Sequence, residues 1–308
     1  MENLLSALRA AGESTRLRII GLLGHGELTV SELVEILRQS QPRVSRHLKL
    51  LCEAGLIDRL REGTWVFYRL TEEPKFKALI DVLVNNLSVE GPEVGRDLQR
   101  LAQIRDQHTD RANEYFSKNA AQWDQMRSLY VAEEKVEQEL LKMADGHDVD
   151  AFLDIGTGTG RMLEMFADRA KSLIGIDLSR DMLTVARSNL EGKKLSNCQA
   201  RHGSMYDLPV ENDSKDLIVF HQVLHFADEP GLAIREAARV LKPNGMILVA
   251  DFAPHDEEFL RSDHAHRRLG FATSEVEGWA RSAGLALSAS KSLKGKPLTV
   301  IVWQLTKS

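Results

Sequence analysis

Only two cysteines, Cys52 and Cys198, occur in 308 residues, and they stand far apart. That scarcity excludes a disulfide-stapled scaffold and any zinc site built on thiolates alone. No apolar run approaches the roughly 18 residues needed to cross a bilayer, and Met1-Glu2-Asn3 opens no basic-then-apolar leader. An integral membrane protein is therefore excluded, and a reducing, cytoplasmic setting is expected. Internal repeats and low-complexity tracts are missing as well. With 43% hydrophobic and 28% charged residues the chain has the balance of a folded, soluble protein. Its length leans toward two domains.

Charge is unevenly placed. The whole chain carries −5, yet residues 1–88 hold 12 Lys and Arg against 11 Asp and Glu. Within 38–69 the basic residues Arg38, Arg43, Arg46, Lys49, Arg59, Arg61 and Arg69 face only Glu53, Asp58 and Glu62. A basic patch in a net-acidic chain suits an anionic partner such as nucleic acid, although a solvated helix face has the same composition.

The first 72 residues read as short helices and a small hairpin. Leu4, Leu5 and Leu8 form a helical stripe that ends at Gly12. Ser14 or Thr15 is expected to cap a second helix, stopped by Gly24-His25-Gly26, and Ser31 a third. Pro42 sits near the first turn of a fourth helix that Gly55 ends. Residues 56–61 and 64–69 flank Glu62-Gly63 as a hairpin. From 73 to 145 the pattern is helical and polar, broken at Gly91-Pro92. Beyond 150, strands at 151–155, 173–177, 199–202, 216–221 and 246–251 alternate with helices near 161–170, 180–190, 231–241 and 273–283. Runs at 285–291 and 299–305 close the chain. Such alternation implies a mostly parallel sheet wrapped by helices, with an antiparallel closing hairpin.

In the fourth helix, Val44, Leu48 and Leu51 share an inward side, while Ser45, Arg46 and Lys49 share the opposite one. A helix, a tight turn and a helix with such an outer face is how a helix-turn-helix presents side chains to the major groove. The hairpin adds Arg59, Arg61 and Arg69 where a wing meets phosphates. Three blocks, Glu13–Ile20, Gln41–Leu51 and Ala54–Ile57, resemble the ArsR/SmtB winged-helix repressors over about 1–88. The resemblance implies a homodimer on duplex DNA, with Gln41, Arg43, Ser45, Arg46, Lys49 and Arg61 as contacts. Leu79, Val82 and Leu83 lie in a helix suited to pairing with a second subunit. Metal-sensing relatives carry two cysteines where this chain has Thr29 and Ser31, so metal sensing there is rejected and no metal is expected.

The strongest chemical signal is Phe152-Leu153-Asp154-Ile155-Gly156-Thr157-Gly158-Thr159-Gly160-Arg161. Glycines after a buried strand let backbone approach a ligand at a helix N-terminus. The dinucleotide fingerprint would need glycine at Arg161, so it fails. Asp177 ends the next strand, well placed for ribose hydroxyls. With Ile174–Ser179, Gly203–Pro209, Asp216–His225 and Leu241–Leu248, the pattern is similar to class I S-adenosylmethionine-dependent methyltransferases over about 115–308. Tyr115-Phe116 and Trp123-Asp124 resemble the lead-in to the cofactor lid. The resemblance implies a Rossmann-like seven-stranded domain binding S-adenosylmethionine or S-adenosylhomocysteine. Its ligand residues would be Asp154, Gly156, Thr157, Gly158, Gly160, Asp177, Leu178, Met182, Ser204, Met205 and His221. Ser204 replaces the usual Asp, so the adenine contact is weaker or comes from elsewhere, Asp207 for instance.

His221 and His225 are the catalytic candidates, and His255, His264 and His266 cluster later. One reading makes a histidine the general base, a second makes some of them a metal site, and a third leaves them ordinary loop residues. Arsenic methylation is set aside for lack of a cysteine cluster. The expected division is 1–88 winged helix and dimer helix, 89–145 helical connector and lid, and 146–308 cofactor domain. Two functions follow. One is a transcriptional regulator that senses the cofactor or its product and methylates a small molecule in addition. The other is an active small-molecule methyltransferase with an autoregulatory DNA-binding half.

Overall fold

The structure is a computed structural model describing residues 2–71, 73–87, 91–120 and 133–307; Trp123 and Asp124 lie outside them. The chain divides into two compact units, Met1–Asp110 and Arg111–Ser308.

The first unit runs α1 (Glu2–Ala11), α2 (Ser14–Leu23), β1 (Leu28–Thr29), α3 (Val30–Leu37), α4 (Gln41–Glu53), β2 (Ile57–Glu62), β3 (Trp65–Leu70), α5 (Pro74–Leu87) and the start of α6 (Pro92–Asn119). The expected caps move. Glu13, not Ser14 or Thr15, caps α2, its carboxylate accepting from Arg16 N at 3.0 Å. Thr29, not Ser31, caps α3 with a full capping box: Glu32 N donates to its hydroxyl at 3.3 Å, and Thr29 N donates to Glu32 Oε2 at 2.7 Å. The cap must precede the first helical residue in extended backbone, which Thr29 does and Ser31, already inside the helix, does not. In the hairpin Glu62 pairs with Trp65, so the turn is Gly63-Thr64, one residue later than read, with Gly63 at φ +56°. β1, two residues long, pairs with β3 and was too short to show a period.

Val44, Leu48 and Leu51 of α4 are buried as their spacing requires, against Ile19 and Ile20 of α2, Leu33 and Ile36 of α3, and Phe76 and Ile80 of α5. Leu101 and Ile104 of α6 complete this core. A bidentate ion pair crosses it: Arg18 donates to Asp97 at 2.6 and 2.8 Å, and Asp97 is 2% exposed.

The second unit holds α7 (Glu133–Met143), β4 (Val149–Ile155), α8 (Arg161–Phe166), β5 (Ala170–Asp177), α9 (Arg180–Gly192), β6 (Cys198–His202) and β7 (Lys215–His221). It continues with α10 (Pro230–Val240), β8 (Leu241–Phe252), α11 (Phe259–Asp263), α12 (Thr273–Ser282), β9 (Leu285–Lys294) and β10 (Thr299–Lys307). The seven strands stand in the order β6-β5-β4-β7-β8-β10-β9, parallel except at β10, which is antiparallel to both neighbours. Alternate residues feed two cores: Phe152, Leu217, Val219 and Leu248 into one, Leu153, Ile218, Phe220 and Ile247 into the other. Both faces are covered, as a parallel core demands. β8 starts at Leu241, earlier than read, because Leu241 pairs with Lys215 ahead of a register shift.

Replacing Asp97 with Ala takes the bidentate partner from the part-buried Arg18 guanidinium. The expected cost to the first unit, with solvent and Glu93 and Glu13 still near Arg18, is about 1–3 kcal/mol, measured as lost hydrogen-exchange protection in 14–53 of the full chain; unchanged protection would refute it.

Candidate functional site

In the first unit, α4 turns Gln41, Arg43, Ser45, Arg46 and Lys49 outward, all exposed. Along β2, Arg59 and Arg61 share one face and are exposed, while Glu62 on the other face and Ile57 at the start of the strand are buried. Arg69 departs from the expected phosphate-facing set, since Glu27 lies 3.7 Å and Asp58 4.0 Å from its guanidinium. His47, also on α4, faces inward, 3.4 Å from Glu13. The outer face is thus a cationic strip without an ordered apolar cover, and it suits a phosphate-bearing duplex. Thr29 has a structural task in the α3 cap.

In the second unit the chain leaves β4, β5 and β7 at one sheet edge. After β4, Gly156, Gly158 and Gly160 all take left-handed backbone, φ +74°, +53° and +86°. The loop folds onto the end of β5: Gly156 N and Thr157 N donate to Ile176 O at 2.8 and 3.0 Å. Asp177 accepts from Gly158 N and Ser179 N, each at 2.8 Å. Burial pushes its carboxyl above the ordinary range, against these backbone donors, which pull it down. Part of its accepting capacity therefore already holds the loop.

A cavity opens beside the loop, lined by Asp154, Gly156, Thr157, Gly158, Met162, Met182, His221, Gln222, Val223, Phe226 and, from α6, Phe116. Of the expected ligand residues, Gly160, Asp177, Leu178, Ser204 and Met205 are not in this lining. Gly160 caps α8, and Leu178 is exposed. Ser204 accepts from Tyr206 N at 3.2 Å and bridges by backbone to Asp207, so its hydroxyl closes a turn there. Met162, Gln222, Val223 and Phe226 were not read from the sequence as site residues, though strand-end position hinted at the three after β7; Phe116 was read only as part of the lead-in to the cofactor lid.

The histidines separate into two places. His221 lines the cavity, with Nε2 2.7 Å from Glu133. His225 lies outside that lining, its Nδ1 2.8 Å from Asp251 and its ring stacked on His266 at 4.1 Å. Tyr115 hydrogen-bonds His264 Nδ1 at 2.7 Å, and Phe116 packs on Phe226 at 4.8 Å. Among the described residues no group of three His, Cys, Asp or Glu is arranged to hold a metal. Burial first, then His225, His255, His264 and Arg261, drives the pKa of His266 well below ordinary.

Residues 13–59 match the family described as "Bacterial regulatory protein, arsR family", and residues 153–249 match a "Methyltransferase domain". The arsenic resistance transcriptional regulator ArsR1 of Pseudomonas putida is 37% identical over 98 residues, 31% of this chain and 75% of that protein. The chain belongs to the arsR family. This arsR-family chain is also 33% identical over 132 residues to the uncharacterized methyltransferase YcgJ of Bacillus subtilis, 42% of the chain and about half, 51%, of that relative. The crystal structure of YcgJ superposes with a TM-score of 0.51 at 22% identity, over 56% of this chain and 98% of that one, which establishes a shared fold. An arsR-type helix-turn-helix and a methyltransferase domain therefore share one polypeptide.

The methyltransferase domain implies S-adenosylmethionine or S-adenosylhomocysteine, and the residues present fit such a group. A Cβ at Gly156 would collide with the Val223 side chain, so the glycine keeps open the lining it belongs to. Thr157 Oγ1, in the same lining, is buried without a hydrogen-bond partner among the described residues.

Two outcomes are expected. Gly156→Ala combines left-handed strain with the Val223 collision, and costs at least about 1–2 kcal/mol of stability; Val223→Ala added to it relieves only the collision. A melting temperature unchanged in the single variant would refute this. For His266, the fold disfavours the charged imidazole, so below the ordinary value of 6.5 the unfolded chain binds the extra proton. The stability it supports is complete above that pH and falls as pH drops, by up to about 1.4 kcal/mol per unit, until the folded group itself protonates. Denaturation of wild type and His266→Gln from pH 7.5 down to about 5 should give a flatter profile for the variant; equal slopes would count against it.

Proposed function

We propose that the chain is a DNA-binding transcriptional regulator whose methyltransferase domain senses S-adenosylmethionine or its demethylated product. The observation that carries this is the joining, in one polypeptide, of an exposed cationic α4–β2 surface with a glycine-lined cavity. The regulator is a cytoplasmic homodimer on duplex DNA, one half-site per subunit. Leu4, Leu5 and Leu8 on α1 and Val82 on α5 are exposed large apolar side chains and supply pairing surface. Residues 1–88 are the winged helix with its dimer helix, 89–145 the connector and 146–308 the cofactor domain. Asp154 and the glycines line the methionine end of the cofactor, Asp177 meets the ribose, and Leu178, Met182, Ser204 and Met205 surround adenine. The bound group would supply a transferable methyl on a cationic sulfur.

A second reading, catalysis on a small-molecule acceptor, draws on the buried His225–Asp251 pair, whose carboxylate orients the imidazole, with His225 standing outside the cavity lining. Methyl transfer also proceeds by positioning alone, so a base is not obligatory.

Sensing requires coupling, and coupling is reciprocal. Operator affinity measured at fixed salt without ligand, with donor and with product should differ by roughly 5- to 150-fold between states. Three equal affinities would reject the sensor and leave the enzyme.

A further inference from the structure

α7 presents two carboxylates one turn apart, Glu133 and Glu137, and both reach the loops around the cavity. Glu137 accepts from Arg161 Nε and Nη2 at 2.6 and 2.7 Å, the first residue after the glycine loop. Glu133 stands 2.7 Å from His221 Nε2 and 3.4 Å from Gln222 Nε2. Gln222 has a left-handed backbone, φ +51°, with its N–H donating to Ala250 O at 2.7 Å. Non-glycine residues keep such a conformation only where neighbours over-determine it. Val136 and Leu140 anchor the same helix in the core.

The cavity wall that includes His221 also includes the 1%-exposed Asp154, with Gly156 and Gly158, all assigned to the methionine end; of the residues assigned to adenine it holds Met182 but not Leu178, Ser204 or Met205. The side formed by His221 and Asp154 is therefore taken as the one toward the sulfur. Donor and product are the same molecule there except for one methyl group and one positive charge. A sensor responds to them differently only through an interaction that differs between them. We propose that Glu133, held by His221 and Gln222, is a specificity-determining residue that favours the sulfonium of the donor over the neutral thioether of the product. This deepens the ligand-sensing reading and rests on it. Glu133 stands behind that wall, against His221 and Gln222, which are in the lining, so the physical basis is a longer-range attraction between its carboxylate and the sulfonium, less screened in these partly desolvated surroundings than in water.

The test is calorimetric titration of the full chain with S-adenosylmethionine and with S-adenosylhomocysteine, at one pH and salt. Glu133→Gln keeps an acceptor oxygen toward His221 and removes the charge; donor affinity should fall roughly tenfold, with product affinity within about twofold of wild type. Glu133→Asp, which keeps the charge, should restore part of the donor preference. Glu137→Gln should weaken both ligands together, because Glu137 holds the loop and α7 rather than reading the ligand. Equal loss of both ligands in Glu133→Gln, or no change in either, would overturn the assignment. Failure of wild type to bind either ligand would overturn the cofactor reading itself, and this inference with it.

Discussion

Parallel pairing of β4 with β5 and β7 constrains the whole second unit. Parallel strands all end at the same sheet edge, and the connections that return the chain run behind the sheet as helices. The glycine loop after β4, Asp177 at the end of β5 and His221 at the end of β7 are therefore brought to the same edge, and Val223, 67 positions along the chain from Gly156, packs where a Cβ on that glycine would stand. The lattice of hydrogen bonds then does local work. Ile176 O and the Asp177 carboxylate take four N–H groups from the loops, so the glycine loop is built before any ligand arrives. A prebuilt loop keeps the ordering entropy out of the binding step.

The first unit relies on a different device. Its helices are short, and an eight-residue helix such as α3 is marginal alone. The Thr29–Glu32 capping box and the apolar contacts of Leu33 and Ile36 stabilise it, and Asp97 of α6 ties the far side of the core to Arg18 of α2. With the inward face of α4 consumed by this core, its outward face is left cationic and solvent-facing. The same residues that fold the unit thus decide which side chains a duplex would meet.

The histidines illustrate how environment separates similar residues. His221 sits in the cavity lining beside Glu133, whereas His225, four residues on, is turned to Asp251 and stacked on His266. Proximity in sequence gave them one expected role; a single turn of 3-10 helix at Leu224–Phe226 gives them two surroundings.

Much was legible in the linear chain. Periods of 3.6 and 2 depend on which face a residue presents, a local property, so the α4 stripe and the alternating strands were readable, as were the turn glycines, whereas the cap of α3 fell to Thr29 rather than the expected Ser31. The glycine loop and Asp177 were legible because their chemistry is carried by residue type at short spacing. What only the tertiary structure decided are the meetings of distant side chains: Arg18 with Asp97, Arg161 with Glu137, Glu133 with His221 and Gln222, and the closing of the Ser204 turn that spends its hydroxyl. Those contacts depend on strand register and helix placement, set by the packing of the whole core, and no local pattern encodes them.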